Sequence, residues 1–160
     1  MATELKNLSE FSIEELPDGS SFNIGLVVAE WNAQITGPMM DGAIQTLEKA
    51  GVKKKHIATH FVPGTFELPL AAQWFAQKAK IDAVICIGCV IQGETRHFDF
   101  ICDSVANGIM NVSLKFGKPI IFGVLTTNNL QQALDRSGGK HGNKGVEAAV
   151  TALKMLDLQH

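Results

Sequence analysis

The chain has 160 residues, 46% of them hydrophobic, and a formal net charge of −2. That is the size of one domain able to bury its own core. Near-neutral charge leaves no electrostatic footprint for nucleic acid or an anionic membrane, and no apolar run approaches the roughly 20 residues of a membrane span. Residues 1–10 are polar and acidic, unlike a signal sequence or an arginine-rich transit peptide, so the expected compartment is the cytoplasm.

Residues 1–21 read as an N-terminal arm ending in the turn-rich Pro17-Asp18-Gly19-Ser20-Ser21, and residues 22–160 as a single domain. A first buried strand is predicted over 22–29. Over 35–50, Met39, Met40, Ala43, Ile44, Leu47 and Ala50 make the apolar stripe of a helix stopped by Gly51. A second strand follows over 55–62, punctuated by Pro63-Gly64. The next helix covers 66–78, where Pro69 is tolerable because it falls near the first turn. The third strand spans 81–91, the third helix 100–116 with Gly117 closing it, and the fourth strand 119–125. Two more helical segments, 127–137 and 146–156, flank the glycine-rich 138–145. Strands alternating with helices of this length predict an α/β fold, a parallel sheet covered by helices on both faces.

Polar, glycine-bearing turns follow the predicted strands. In open parallel sheets the carboxyl ends of strands are where ligands bind. The first strand ends in Glu30-Trp31-Asn32, where an exposed tryptophan offers a flat face to a heteroaromatic ring, unless it belongs to the core or an interface. The second ends in Thr65-Phe66-Glu67 at a helix start; these residues could hold hydroxyl groups, or simply be an N-cap (Thr65) and a well-placed acid (Glu67). The third ends in Gly93-Glu94-Thr95-Arg96-His97, which brings an anion-binding helix start together with a histidine suited to moving protons near neutrality.

The run Asp135-Arg136-Ser137-Gly138-Gly139-Lys140-His141-Gly142-Asn143-Lys144-Gly145 aims cations and backbone amides as a phosphate site would, but it is neither a P-loop nor a dinucleotide fingerprint. Cys86 and Cys89 match C-x-x-C inside a strand, where residues three apart face opposite ways, so buried structural cysteines are expected. His56 and His60, four apart in a predicted strand, lack a carboxylate ligand set, and no metal site is expected.

Taken in order, Trp31-Asn32, the run from Val62 to Pro69, Gly93-Glu94-Thr95-Arg96-His97-Phe98-Asp99, Ile121-Phe122-Gly123-Val124-Leu125-Thr126-Thr127 and Gly142-Asn143-Lys144-Gly145-Val146-Glu147-Ala148-Ala149 closely resemble the lumazine synthase family, over roughly residues 22–156. Each segment is modestly specific; all five in order are highly specific. The resemblance implies a flavodoxin-like, three-layer α/β/α sandwich with a four-stranded parallel sheet, to which a neighbour's arm would add.

It also implies a transferase of riboflavin biosynthesis that needs no cofactor or metal. The reaction condenses 5-amino-6-(D-ribitylamino)uracil with 3,4-dihydroxy-2-butanone 4-phosphate. By resemblance, Trp31 stacks on the pyrimidine, in place of the phenylalanine of many members. Thr65, Phe66 and Glu67 clamp the ribityl chain, and Cys89, Val90 and Ile91 offer backbone bonds to the pyrimidine edge. Glu94, through its backbone N–H, and Thr95 border the phosphate, Arg136 anchors it, and His97 shuttles protons. Phe122 and Arg136 would come from a neighbouring subunit, with Lys144 close by, Phe122 and Lys144 on the pyrimidine and ribityl side and Arg136 on the phosphate. The implied partners are further copies, as pentamers, and riboflavin synthase as a functional neighbour. The uninterrupted run 136–145 and the long lead-in favour a closed icosahedral shell of pentamers, whereas Trp31 weighs toward smaller assemblies; the expectation is the shell.

Overall fold

The computed structural model describes residues 11–12 and 15–159; most of the predicted arm lies outside these. The elements are β1 (Ile24–Ala29), α1 (Ala33–Lys49), β2 (Ile57–Val62), α2 (Leu68–Ala76), β3 (Ala83–Ile91), α3 (His97–Phe116), β4 (Ile120–Thr127), α4 (Leu130–Arg136), a small hairpin of β5 (Ser137–Gly139) and β6 (Gly142–Asn143), and α5 (Lys144–Asp157). Short 3-10 turns at Lys54–His56 and Thr65–Glu67 precede β2 and α2.

The main sheet has the order β2-β1-β3-β4, with every pair parallel. Helices cover both faces, so the central strands are buried on both, save the half-buried Val90 and Ile91 at the end of β3. Period-two alternation then sorts their side chains. Leu26, Val28, Ile85, Ile87 and Cys89 pack with Ile35, Met39, Leu47, Leu153 and Leu156 of α1 and α5. Val27, Val84 and Cys86 pack with Leu68, Phe75, Val105, Ile109 and Val112 of α2 and α3. Cys86 and Cys89 thus lie on opposite faces, as their spacing in a strand requires. Burial pushes their thiols up to about 12 and about 11, so both stay neutral and inert.

This order has one topological switch point. The chain leaves β1 toward β2 on one side and leaves β3 toward β4 on the other, so a crevice opens between the carboxyl ends of β1 and β3. Pairing between these strands ends at Val28 and Ile87, while β3 stays paired with β4 out to Ile91 and Thr127. The last residues of β3 therefore keep a backbone edge that β1 has abandoned.

Several sequence expectations shift. His56 falls in the 3-10 turn before β2 rather than in the strand, so it does not share a strand face with His60. The third helix begins at His97, not residue 100, which puts the histidine in its first turn. β4 runs on to Thr127, whose carbonyl accepts from Gln92 N–H at 2.8 Å. Hence α4 starts only at Leu130, capped by Asn129, whose side chain accepts from Gln132 N–H. Residues 138–145 hold a pinned hairpin rather than a plain loop. Asn143 caps α5 through Oδ1 and donates from Nδ2 to the Pro38 carbonyl at 3.0 Å. Gly145 is required there, because a Cβ would overlap the Met39 backbone where α5 crosses α1.

Candidate active site

The crevice at the switch point is a cleft of about 490 Å³ lined by Trp31, Asn32, Pro63–Glu67, Cys89–Ile91, Gly93, Thr95, His97, Phe98 and Ile101. Turns after three successive strands thereby converge, as expected for this topology. The cleft gathers nine residues singled out from the sequence: Trp31, Thr65, Phe66, Glu67, Cys89, Val90, Ile91, Thr95 and His97. Glu94 sits in the same turn as Thr95 and His97 but is not part of the lining.

Each wall has a local cause. β1 and β2 stay bonded past their ends, Glu30 N–H to the Val62 carbonyl at 2.8 Å and Trp31 N–H to the Pro63 carbonyl at 3.2 Å. This holds Trp31, 75% exposed, beside the Pro63-Gly64 turn with its ring open to a partner. Asn32 then reverses the chain into α1 with φ 60°, the only positive φ at a non-glycine among the described residues. Its Nδ2 donates to the Cys89 carbonyl at 3.0 Å and ties the floor of the cleft to this wall.

Thr65 is buried and is not the helix cap. Its hydroxyl points at the Cys89 carbonyl at 3.5 Å, and Gly88 makes room, since a Cβ there would lie 2.9 Å from Thr65 Oγ1. Glu67 does the capping: Oε2 accepts from Gly64 N–H at 3.0 Å, which leaves Oε1 for a hydroxyl group.

Strand alternation sorts the β3 backbone. Gln92 N–H bonds to β4, so Val90 faces β4 as well, while Cys89 and Ile91 face the crevice. The Cys89 carbonyl already accepts from two side chains, which leaves Ile91 as the better-placed backbone partner for a ring edge. His97 opens the 20-residue helix α3, its N–H 3.4 Å from Thr95 Oγ1. The positive end of that helix thus lies beside the imidazole.

Three expected residues lie elsewhere. Phe122 is on the edge strand β4. Arg136 ends α4 and Lys144 begins α5, and both reach Glu147: Arg136 Nη2 to Oε1 at 3.0 Å, Lys144 Nζ to Oε2 at 3.2 Å. Arg136 Nη1 also donates to the His141 carbonyl at 2.6 Å. Among the described residues, no lysine or arginine lines the cleft itself.

A family model described as 6,7-dimethyl-8-ribityllumazine synthase matches residues 21–160. The chain belongs to the 6,7-dimethyl-8-ribityllumazine synthase family. It is 63% identical over 156 residues to the Cytophaga hutchinsonii protein of that name, covering 98% of both chains. It is 53% identical over 159 residues to the Porphyromonas gingivalis protein, covering 99% of both. The Flavobacterium johnsoniae protein shares 51% over 155 residues, which is 97% of this chain and 82% of that one. Family membership agrees with the sequence reading. Asn32 and Glu147 escaped that reading as site residues. Asn32 carried a readable signal, because asparagine is among the few residues that tolerate left-handed backbone. Glu147 looked like any acid in a helix's first turn.

Proposed function

We propose that the β1/β3 cleft is the catalytic centre of this family member and that it is completed by a second copy of the chain. The family's reaction condenses 5-amino-6-(D-ribitylamino)uracil with 3,4-dihydroxy-2-butanone 4-phosphate to 6,7-dimethyl-8-ribityllumazine, releasing phosphate and water, and this chain is a transferase of riboflavin biosynthesis. The observation that carries the location is the convergence of Trp31, the Thr65–Glu67 turn and His97 on one crevice.

In this reading the pyrimidine stacks on Trp31, and its edge bonds to the β3 backbone, chiefly Ile91. The ribityl hydroxyls meet Glu67 Oε1, with Phe66 and buried Thr65 shaping the channel. The uracil amine adds to the ketone and loss of water gives an imine; phosphate then leaves by elimination, the resulting enol tautomerises to a ketone, and the ribitylamino nitrogen attacks that carbonyl and closes the ring with loss of a second water. Each step moves a proton, and His97 gives and takes them at the cleft wall. Holding two substrates in register can remove roughly 7–11 kcal/mol of barrier by proximity alone, so orientation outweighs proton transfer here.

The leaving phosphate sits near Thr95, the Glu94 backbone and the start of α3, where free N–H groups favour an anion. A dianion also needs a cation, and among the described residues the cleft of one chain holds no lysine or arginine. That lack, with Arg136, Lys144 and Phe122 displaced from the cleft, supports their delivery from a neighbour. Leu70, Trp74, Met110 and Leu114 leave α2 and α3 with exposed apolar surface suited to packing between copies. The assembly we propose is a pentamer, joined into a closed shell, working in the cytoplasm with riboflavin synthase as its functional neighbour. Among the described residues no helix is long and apolar enough to cross a membrane. Mixing the two substrates with purified protein should generate the lumazine chromophore and free phosphate together; neither appearing would overturn the reading.

A further inference from the structure

Among the described residues Glu147 is the only buried carboxylate, 7% exposed in the first turn of α5. Burying a carboxylate is costly unless cations pair with it and its lone pairs are bonded. Here the two cations are the very side chains assigned above to substrate, Arg136 on Oε1 at 3.0 Å and Lys144 on Oε2 at 3.2 Å. We propose that Glu147 is a positioning residue for the phosphate anchor. It fixes the Arg136 guanidinium and the Lys144 ammonium in one arrangement before the substrate of a neighbouring copy arrives. This rests on the reading of Arg136 as that anchor.

The geometry explains how. A guanidinium carries five N–H donors in a rigid fork. Glu147 takes one from Nη2 and the His141 carbonyl takes one from Nη1 at 2.6 Å, so the plane of the fork is set and the remaining donors stay available. A long, rotamer-rich side chain otherwise loses its freedom when it binds; here that loss falls on folding instead. The carboxylate is itself held on a rigid support. Asn143 caps α5, and Gly145 lets the helix lie against the Met39 backbone. Two cations against one carboxylate leave one positive charge in excess, enough to keep the cluster attractive to a phosphate dianion.

The test compares Glu147→Ala, Glu147→Gln and Arg136→Ala in the assembled enzyme. It reads KM for each substrate and the inhibition constant of inorganic phosphate. Glu147→Ala should raise both the KM for the butanone phosphate and the phosphate inhibition constant by about tenfold, as expected for a misplaced anchor. KM for the pyrimidine should shift far less, because Trp31, the Thr65–Glu67 turn and the β3 backbone are untouched and only Lys144 on that side loses a partner. Glu147→Gln keeps an oxygen acceptor for Arg136 and should show the same split at smaller size. It alone decides the matter if the alanine variant fails to fold.

Equal shifts for both substrates, an unchanged phosphate constant, or tighter phosphate binding would each overturn the proposal. The last would make Glu147 a competitor of phosphate rather than a support. Arg136→Ala separates the two levels. If it too lacks a phosphate-specific effect, the anchor reading falls and this inference with it. If it shows the split while the Glu147 variants do not, only this inference falls.

Discussion

Asn32 joins the fold to the site, and two substitutions there separate its backbone from its side chain. Asn32→Gly keeps the left-handed conformation at φ 60° and loses only the 3.0 Å bond from Nδ2 to the Cys89 carbonyl. That bond contributes about 1 kcal/mol, and Thr65 Oγ1 at 3.5 Å is a poor replacement. Asn32→Ala loses the same bond and also replaces one of the few residues whose short polar side chain makes left-handed backbone tolerable by one that has a Cβ and no such side chain, a further cost of about 1–2 kcal/mol. The expected losses are therefore about 1 kcal/mol for glycine and about 2–3 kcal/mol for alanine. In a chain of this size they correspond to melting points lower by about 2–4 °C and about two to three times that. Thermal unfolding at fixed protein concentration reads the stability, and steady-state kinetics read the cleft. Both variants should raise KM for the pyrimidine, because Trp31 precedes the altered residue and the Cys89 carbonyl is freed. An alanine variant as stable as the glycine variant would refute the assigned backbone strain, and an unchanged pyrimidine KM would refute the link to the cleft.

His97→Ala should slow turnover by roughly one to two orders of magnitude rather than abolish it, since acid–base help is typically 10²–10⁴ and solvent partly substitutes; a rate unchanged across the pH range would remove His97 from its role. Arg136→Ala should raise KM for the butanone phosphate far more than for the pyrimidine, through loss of a charge-assisted bond to phosphate, and equal effects in steady-state assays would contradict it. The buried thiols predict an alkaline limit. Burial holds Cys86 near 12 and Cys89 near 11 in the folded chain, against about 8.5 unfolded. The folded state thus binds protons more tightly, and its stability is intact below the unfolded value. It is then lost as pH rises toward the folded values, by up to about 1.4 kcal/mol per pH unit for each thiol. Denaturation midpoints between pH 8 and 11 check this, and Cys86→Ala should flatten the slope whatever it costs at pH 7.

Much of the fold was legible because a parallel sheet buried on both faces writes its strands as unbroken apolar runs, as in Ile24–Ala29 and Ala83–Ile91. What the sequence hid were features set by tertiary partners. Helix capping was one of two readings open for Thr65, and it does not hold: the hydroxyl faces the Cys89 carbonyl across a gap opened by Gly88. β4 outruns its apolar residues because Gln92 pairs with Thr127. The β5–β6 hairpin read as loose glycine-rich loop, since its register comes from Asn143 bonding to Pro38, far away in the chain. Most of the cleft was foreseen, because strand-end turns cluster wherever the sheet reverses its winding. Glu147 was not, because nothing local marks an acid that two cations will bury.

The central claim is that one site is built from two copies, the cleft of one chain completed by Arg136 of another. It is tested most directly by co-assembling His97→Ala and Arg136→Ala chains in equal amounts and measuring lumazine formation. If sites are shared across interfaces, roughly a quarter of them regain both residues, and the mixed assembly should be well above either variant alone. Activity equal to the average of the two separate variants, in assemblies verified as mixed, would contradict the account.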